Sequence, residues 1–498
     1  MAKKTLTLMN SGYSHHGASR TKKSLLGWMF GGGSPDEDIL DNLDTLRQRS
    51  RDLYMGGAAL ATGALKTART NVVGTGLRLK PTLDADFLRL TEEEGRELKR
   101  TIEREFALWA DSTDCDATRM NNFYELQQLA LLSQLMSGDC FGLLPMVPRL
   151  HSVYDLRVRI VEADRCCDPP DKKGRDIKGG VECGPDGDVI AYWIRNSHPL
   201  GESAGRPQWV RVEAEGKESG RCNVVHLLET ERPEQRRGVP ILAPVIESLK
   251  QLGRYTEAEL TAAVVSGFFT VFIKSNTPEN AMGEGIPGYQ QVDLEDESSL
   301  ELGSGSVLSL QPNESIETAN PGRPNTAFDG FVTAVLRQVG AALEIPYELL
   351  VKHFTASYSA SRAALLEAWK MFRMRRAWMV SGFCQPIYEE WFAEAVAKGR
   401  IDAPGFFDDP IIRKAYTKAE WHGPSAGQID PLKEANAAKV RVDEGFSTRE
   451  RETAELTGGD FEMNHRQRVR EEKMRRDDGL MGGANSANEI LEREQDEE

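Results

Sequence analysis

The 498-residue sequence lacks long hydrophobic runs and an excess of basic residues, and each absence excludes a class of protein. Its longest apolar stretches, such as residues 267–273, fall well short of the roughly 18 residues of a membrane-spanning helix and suit a buried strand. Lys and Arg total 62 against 77 Asp and Glu, a formal net charge of −15. Such an acidic chain is poorly suited to gripping DNA in a basic groove. The polar N-terminus has no signal-peptide core, so we expect a soluble protein made in the cytoplasm.

Sequence motifs for catalysis are also missing. Gly216-Lys217 is followed by Glu218 and lacks the upstream glycine of a phosphate-binding loop. Residues 283–288 match G-x-G-x-x-G in form, but they contain a proline and lead into an acidic loop, whereas a dinucleotide site needs a helix there. Neither a G-x-S-x-G nucleophile motif nor a kinase signature is present. We therefore predict no enzymatic activity and no cofactor.

Cysteine and histidine give no metal-binding pattern. The seven cysteines are an odd number and should be reduced thiols in a cytoplasmic chain. Cys166 and Cys167 are adjacent, so they cannot both turn inward from one strand, and zinc sites use pairs separated by two to four residues. The eight histidines include no H-E-x-x-H motif. His226 lies in an apolar strand and is predicted to be a satisfied core residue.

Size and composition predict several globular domains, because 40% of residues are hydrophobic and 28% charged. Residues 36–70 read as one helix, weakened by glycines at 56, 57 and 63. A capping box at Thr91 opens a helix over 89–111, and another helix covers 122–137. Residues 154–230 alternate between strands and turns.

The middle of the chain has the clearest pattern. Apolar residues recur at helical spacing from Ile241 to Val264, which predicts one long helix. A strand at 268–273, an acidic Gly- and Pro-rich stretch, and a strand at 305–310 follow. A second long helix ends at Ile345-Pro346. Two long helices thus flank a small α/β insert, like a stalk with a head.

The C-terminal part is predicted to be helical. A long helix runs from about Arg362 to Lys398, and Pro386 should kink it. Further helices begin near Asp430 and at a capping box formed by Ser447–Glu450. Residues 478–498 have little to bury and are predicted to be a disordered acidic tail.

Short blocks along the chain resemble, in order, the portal proteins of tailed phages, lambda family. The blocks are Ser11-Gly-Tyr with Arg20, Leu46–Leu53, Asn71–Leu77, Gly138–Phe141, Val161–Arg165, Gly180–Glu182, Arg237–Pro244, Glu344–Leu350, Tyr358–Arg362, Trp421–Pro424 and Asp430–Glu434. Each block alone is weak, but so many in the right order are hard to obtain by chance. The sequence departs from the family at Met55-Gly-Gly57, where a polar Arg-Asn pair is more usual.

The resemblance implies an α+β portal-type multidomain subunit that assembles into a ring. The implied parts are an N-terminal tail (1–35), a wing domain (36–238), a stem helix (239–267), a small α/β clip (268–322), a second stem helix (323–345), a tunnel loop (346–361), a long kinked wing helix (362–400), a helical crown (401–477) and the acidic tail (478–498). The ring would hold about twelve subunits at one capsid vertex.

The resemblance also implies the partners of such a ring. Double-stranded DNA would pass through it without sequence-specific contacts during packaging and ejection. The terminase large subunit, head–tail adaptor proteins, and the major capsid and scaffold proteins would dock on it. The protein would be assembled in the host cytoplasm and would become part of the virion, with no membrane involved. An acidic channel wall suits this role, because it repels phosphates rather than trapping them.

Two segments carry the candidate site residues. The acidic clip residues Asp293, Glu295, Asp296 and Glu297 are expected to bind the packaging and adaptor proteins, unless they form only a solvated loop. The tunnel loop presents Lys352, His353, Phe354, Thr355 and Ser357 to the channel. The alternative is that Lys352 is only a solvated charge and Phe354 a packing anchor. For the whole chain, a cytoplasmic metal-dependent hydrolase and a non-portal phage assembly or scaffold protein remain the other hypotheses.

Overall fold

The computed structural model describes most of the chain. The described residues are 23–24, 33–56, 58–172, 176–201, 206–267, 271–275, 314–318, 327–354, 357–427 and 430–480.

The chain separates into two compact units. The large unit ends its first part at Ile246 and resumes at Gly340, and the small unit is Glu247–Val339. None of the helices in the described ranges is both long and apolar enough to cross a membrane.

The N-terminal part of the large unit begins with two helices. Helix α1 is Pro35–Met55 and helix α2 is Ala59–Val72. The predicted single helix over 36–70 is therefore wrong. The amide of Gly56 bonds to the carbonyl of Asp52 and ends α1, at one of the glycines that weakened the prediction. Ser34 and Glu37 form a capping box at the start of α1, with Pro35 at its first position.

One strand, two helices and then seven antiparallel strands follow over the next 150 or so residues. In chain order they are β1 (Arg78–Pro81), α3 (Glu92–Ala110), α4 (Phe123–Ser137), β2 (Asp139–Leu143), β3 (Arg159–Val161), β4 (Ile177–Lys178), β5 (Val181–Cys183), β6 (Val189–Arg195), β7 (Trp209–Glu213) and β8 (Val224–Leu228). The predicted helices at 89–111 and 122–137 are confirmed, as is the capping box at Thr91.

The strands form two small sheets that share one core. One sheet has the order β3-β2-β8 and the other β4-β5-β6-β7. Phe141 on β2 packs with Val181 on β5 and with Tyr192 on β6. The two sheets are thereby joined through apolar side chains.

The small unit contains a helix, two strands and a second helix. They are α5 (Ile246–Gly267), β9 (Val271–Ser275), β10 (Glu314–Thr318) and α6 (Phe328–Ala342). Strands β9 and β10 pair antiparallel. Tyr255 on α5 stacks on Phe328 and contacts Phe331 edge-on, both on α6. The predicted strand at 305–310 lies outside the described residues.

Both long helices are shorter than predicted. Helix α5 begins at Ile246 rather than at 239, after a single 3₁₀ turn at Ala243–Val245. Pro240 and Pro244 lack an amide hydrogen, which a regular helix needs. Helix α6 ends at Ala342, because Glu344 adopts a left-handed backbone conformation (φ 57°) and Ile345, which precedes Pro346, is restricted to extended geometry.

The C-terminal part of the large unit is mainly helical. Its elements are α7 (Tyr347–Val351), α8 (Tyr358–Met379), a π-helical segment (Val380–Cys384), α9 (Gln385–Ala397), α10 (Pro410–Thr417), β11 (Ala419–His422), α11 (Pro431–Asp443), α12 (Arg449–Thr457) and α13 (Phe461–Asp477). The predicted α+β class is confirmed. The cap of α12 is Thr448 and not Ser447, because the Thr448 side chain accepts from the amide of Arg451.

The π-helical segment marks the place where Pro386 enters the long helix. Pro386 has no amide hydrogen to offer to the carbonyl of Gly382, four residues earlier. The amide of Gln385 instead bonds to the carbonyl of Val380, five residues earlier. The ladder thus changes register for one turn, as is typical of π-bulges.

An aromatic core joins the two parts of the large unit. Phe106 on α3 and Phe123 on α4 contact Trp421 on β11, and Phe106 also contacts Trp391 on α9. Strand β11 pairs antiparallel with β1. Residues 419–422 therefore belong to the same packed core as residues 78–123, and no break in packing separates them.

Candidate functional site

The channel segment, defined here as the described residues Lys352–Phe354 and Ser357, lies between α7 and α8. Helix α7 has only five residues, and Lys352 ends it in a left-handed conformation (φ 55°). The amide of His353 donates to the carbonyl of Glu348 at 3.0 Å. Lys352, His353 and Phe354 are all exposed, so their side chains are available for contact.

Ser357 has a structural role in this segment. Its backbone is extended, and its hydroxyl accepts a hydrogen bond from the amide of Ala360 at 3.4 Å. Ser357 is therefore the N-cap of α8, as serine commonly is. Thr355, also predicted to face the channel, lies outside the described residues.

The base of the channel segment is anchored. Leu343, Ile345 and Leu350 are each no more than 5% exposed, and α7 packs against α2. The segment thus projects from a fixed support rather than from a long loose loop. Sequence reasoning placed a loop over 346–361, but α7 and the first turn of α8 occupy part of that range.

The four acidic residues predicted to bind partners, Asp293, Glu295, Asp296 and Glu297, lie outside the described residues. Their geometry is not part of this structure.

Arg47, Asp139, Asp164 and Arg237 form a buried charge centre in the large unit. The Asp139 carboxylate receives Arg47 Nη2 at 3.0 Å and Arg237 Nε at 2.6 Å. Both arginines and Asp139 are no more than 2% exposed. Arg51 and His198 approach Asp164 from the outer side.

The guanidinium groups of the charge centre also bind backbone carbonyls. Arg47 Nε donates to Ser137 O at 2.8 Å, while Arg237 donates to Cys166 O at 2.7 Å and to Ala163 O at 2.8 Å. The donors of these hydrogen bonds are directed at internal acceptors. The charge centre therefore ties α1, the α4–β2 junction, the turn at 163–166 and the segment after β8 into one body.

Electrostatics in the charge centre keep its members ionised. Burial alone raises the pKa of Asp139, but Arg237 and Arg47 hold that pKa well below its usual range. Burial and the neighbouring Arg237 lower the pKa of Arg47 to about 10, so it stays charged at neutral pH. Buried ions of this kind are tolerated only when they are paired and hydrogen-bonded.

His226 completes the inner side of the charge centre. Its ring stacks on Phe141 with centroids 4.3 Å apart, and its Nε2 lies 3.5 Å from Asp139 Oδ2. The predicted burial is correct, and the contact of Nε2 with Asp139 is at the outer limit of hydrogen-bond distance, so the histidine is only weakly satisfied. Burial lowers the pKa of His226, so the ring is neutral at pH 7.

Two glycines let the backbone segments beside the charge centre cross. Gly138 has φ 92°, and a Cβ atom there would lie closer than 3.0 Å to the carbonyl of Gly238. A Cβ atom on Gly238 would clash in the same way with Gly138 O. Only hydrogen side chains allow this backbone-to-backbone contact, which places Asp139 and Arg237 side by side.

A second arginine site lies on α8, where Arg376 joins three separate segments. Its guanidinium donates to Val72 O and Asn71 O at 2.9 Å each, and to Pro424 O at 2.8 Å. The first two carbonyls belong to the last turn of α2, where the helix dipole is negative. Burial and the nearby Arg373 lower the pKa of Arg376 to about 10.

Sequence reasoning missed both arginine sites as sites, although it singled out most of the residues as motif blocks. Arg47, Asp139, Asp164 and Arg237 each lie in a different block, and Arg376 binds the backbone of two others. Asp139 follows Gly138 and Arg237 precedes Gly238, and this neighbouring glycine was the local signal for two of the four residues. In the described part of the chain, no group of three or more His, Cys, Asp or Glu side chains could hold a metal ion.

The sequence belongs to a known family. The sequence model described as "Phage portal protein, lambda family" matches residues 21–376, well over half of the chain. The chain is therefore a member of the lambda family of phage portal proteins.

Named relatives agree with the family match. Portal protein B of Escherichia phage lambda is 25% identical over 490 residues, which cover 94% of this chain and 91% of the relative. The portal protein of Escherichia phage N15 is 24% identical over 490 residues with the same coverage. Portal proteins of this family form oligomeric rings and are components of the virion.

Some solved structures contain chains with a weaker similarity to this one. The neck of a native gene transfer agent particle, computed with C12 symmetry, has a chain with a TM-score of 0.44 and 13% identity. The likeness covers 83% of this chain and 93% of that chain. It is too low to add to the family match.

Proposed function

We propose that this chain forms a ring of about twelve copies at one capsid vertex, through which double-stranded DNA is packaged and ejected. The observation that carries the proposal is the family match over residues 21–376, which includes the charge centre, both helices of the small unit and the channel segment. The terminase large subunit and head–tail adaptors dock on this ring, and the major capsid and scaffold proteins surround it.

The parts of the chain are proposed to follow the family plan. Residues 36–238 and the helix over 362–400 form the wing, 239–267 and 323–345 the stem, 268–322 the clip, and 346–361 the tunnel loop. The family plan gives the crown residues 401–477. Because β11 pairs with β1, we place the start of the crown after residue 422. Residues 1–35 and 478–498 are the proposed tails.

The ring is tested by measuring the mass of the purified full-length chain and by negative-stain imaging. A particle of roughly twelve times the chain mass with a central hole supports the proposal. A discrete monomer at high concentration would overturn it and favour the hydrolase hypothesis. A large assembly without a central hole would instead favour the scaffold hypothesis.

The clip is proposed to dock the packaging and adaptor proteins through Asp293, Glu295, Asp296 and Glu297. Reversing Asp293, Glu295 and Asp296 to Lys should weaken terminase binding and leave the rings intact. The matched control reverses three exposed loop carboxylates elsewhere, Asp171, Asp186 and Glu218. Normal terminase binding by the clip variant, with rings confirmed, would remove the acidic clip from the docking surface.

The channel segment is proposed to meet the DNA backbone. Copies of Lys352 from all subunits would form a ring of exposed ammonium groups in an otherwise acidic channel. Each contact would be screened beyond a Debye length of about 8 Å at physiological salt, so it would be weak and short-lived. Such contacts steady a moving duplex without holding it.

A further inference from the structure

A stripe of exposed side chains runs along α8 and is not explained by the fold of a single chain. We call it the α8 stripe. Its members recur at helical spacing and are Ala363, Leu366, Glu367, Lys370, Arg373, Met374, Ala377, Trp378 and Ser381. Leu366 is 55% exposed, Trp378 40% and Met374 39%.

The opposite face of this helix is fully used by the fold. Ala368, Trp369 and Phe372 are each no more than 6% exposed. A surface helix normally has one apolar face, turned to the core, and a polar face turned to water. Helix α8 has a second row with three large apolar side chains, and rows of this kind mark surfaces of interaction.

The place where α8 begins indicates what covers the stripe, and this step rests on the proposed function. Ser357 caps α8 directly after the channel segment. If that segment faces the channel, each α8 starts near the ring axis and leads away from it. Copies in a ring are most crowded near its axis, so the flank of such a helix faces the neighbouring copy.

The charge of the α8 stripe also favours another copy of this chain as its partner. The α8 stripe carries Lys370 and Arg373 against the single acid Glu367, a local excess of one positive charge, whereas the whole chain carries −15. Another copy of the chain therefore carries a net charge of the opposite sign. Attraction between such surfaces helps to select the partner and its orientation.

We propose that the α8 stripe is the face through which each subunit packs against the next copy of this chain in the ring. In a ring the contact is head-to-tail, so the stripe meets a different face of the neighbour rather than another α8 stripe. Leu366, Met374 and Trp378 supply the apolar contacts, and Lys370 and Arg373 flank them.

Site-specific photo-crosslinking tests the contact directly. A photoreactive phenylalanine analogue replaces Met374 in the full-length chain, and the control carries it at Phe407, which is 64% exposed in the connection between α9 and α10. We expect the Met374 position to give covalent dimers and higher multiples in assembled rings, and the Phe407 position to give few. Products confined to the mass of one chain would overturn the proposal, because the stripe would then be covered by its own chain.

A pair of substitutions tests the energetic role of the stripe. The double variant L366E/M374E should raise the concentration needed for half-assembly at least tenfold, which corresponds to about 1.4 kcal/mol. Val210→Glu, at a residue 57% exposed on β7, is the control. Both variants should keep the unfolding temperature of the unassembled chain. Unchanged assembly of the double variant would overturn only the proposed role of the α8 stripe as a subunit contact. A wild-type chain that forms no ring would overturn the proposed function as well.

Discussion

The charge centre and the channel segment use cations in opposite ways. Arg47 and Arg237 are 1% and 2% exposed and bind Asp139 together with several backbone carbonyls. Lys352 and His353 are exposed at the end of a five-residue helix. Buried charges must be fixed by partners, so they hold backbone segments together, whereas exposed charges stay free to meet a passing polyanion. The same residue types therefore serve structure in one region and transient contact in the other.

The largest effect should come from removing the shared acid of the charge centre. Asp139→Asn leaves two buried guanidinium groups without their carboxylate, and breaking a buried pair in this way costs about 3–5 kcal/mol. The matched control is Asp41→Asn on the exposed face of α1, which should change stability by about 0.5 kcal/mol or less. Chemical denaturation of both variants measures the difference. Equal effects would mean that the charge centre does not hold the fold together.

Closing the glycine crossing should have the next largest effect. Gly238→Ala forces a Cβ atom against the carbonyl of Gly138, and such overpacking costs about 1–3 kcal/mol or more. Gly63→Ala is the control, because Gly63 lies within α2 and its Cβ would meet nothing within 4 Å. That control should stabilise the protein by about 0.5–1 kcal/mol. Thermal unfolding of the two variants measures the opposite changes in stability. A Gly238→Ala variant as stable as the unsubstituted protein would contradict the close backbone contact between Gly138 and Gly238.

Acid should weaken the charge centre. The pKa of His226 is lowered in the folded protein, so the folded state resists a proton that the unfolded chain accepts as the pH falls below about 6.5. Stability should therefore fall from this pH downward. The pKa of Asp139 is lowered too, so its contribution is lost in turn as the pH falls below about 4.

Denaturation midpoints at pH 7, 6 and 5 measure this dependence. Removing the titrating ring in His226→Gln should flatten the decline between pH 7 and 5. An unchanged slope in the variant would assign the acid sensitivity to other histidines.

The smallest effect on stability, and the largest on DNA, is expected at Lys352. Because Lys352 is exposed, Lys352→Glu should leave stability and ring assembly unchanged, while a ring of carboxylates in place of ammonium groups repels phosphate. The amount of DNA packaged or retained should be lower than in the control Lys217→Glu, which reverses the charge of a lysine whose side chain is 79% exposed. Equal DNA content in the two variants, with rings confirmed, would leave the segment only a steric collar.

Local sequence signals predicted the elements that depend on neighbours along the chain. The capping box at Thr91 and the helix at 122–137 were correct, because a cap and its helix lie within a few residues of each other. The helix over 36–70 and the start at 239 were wrong where Gly56, Pro240 and Pro244 outweighed the apolar spacing. The order of motif blocks indicated the family, which the family match confirmed.

The sequence by itself determined the α+β class, the acidic balance, most of the helices and the family. Only the tertiary structure decided what the motif residues do. Asp139 meets Arg47 and Arg237 across 92 and 98 positions of sequence, and Arg376 reaches α2 across 304. Such contacts depend on how distant segments pack, and nothing in a local pattern specifies the partner of a buried charge. The exposure of the α8 stripe was equally hidden, because helical spacing shows that side chains share a face but not whether the fold of one chain covers that face.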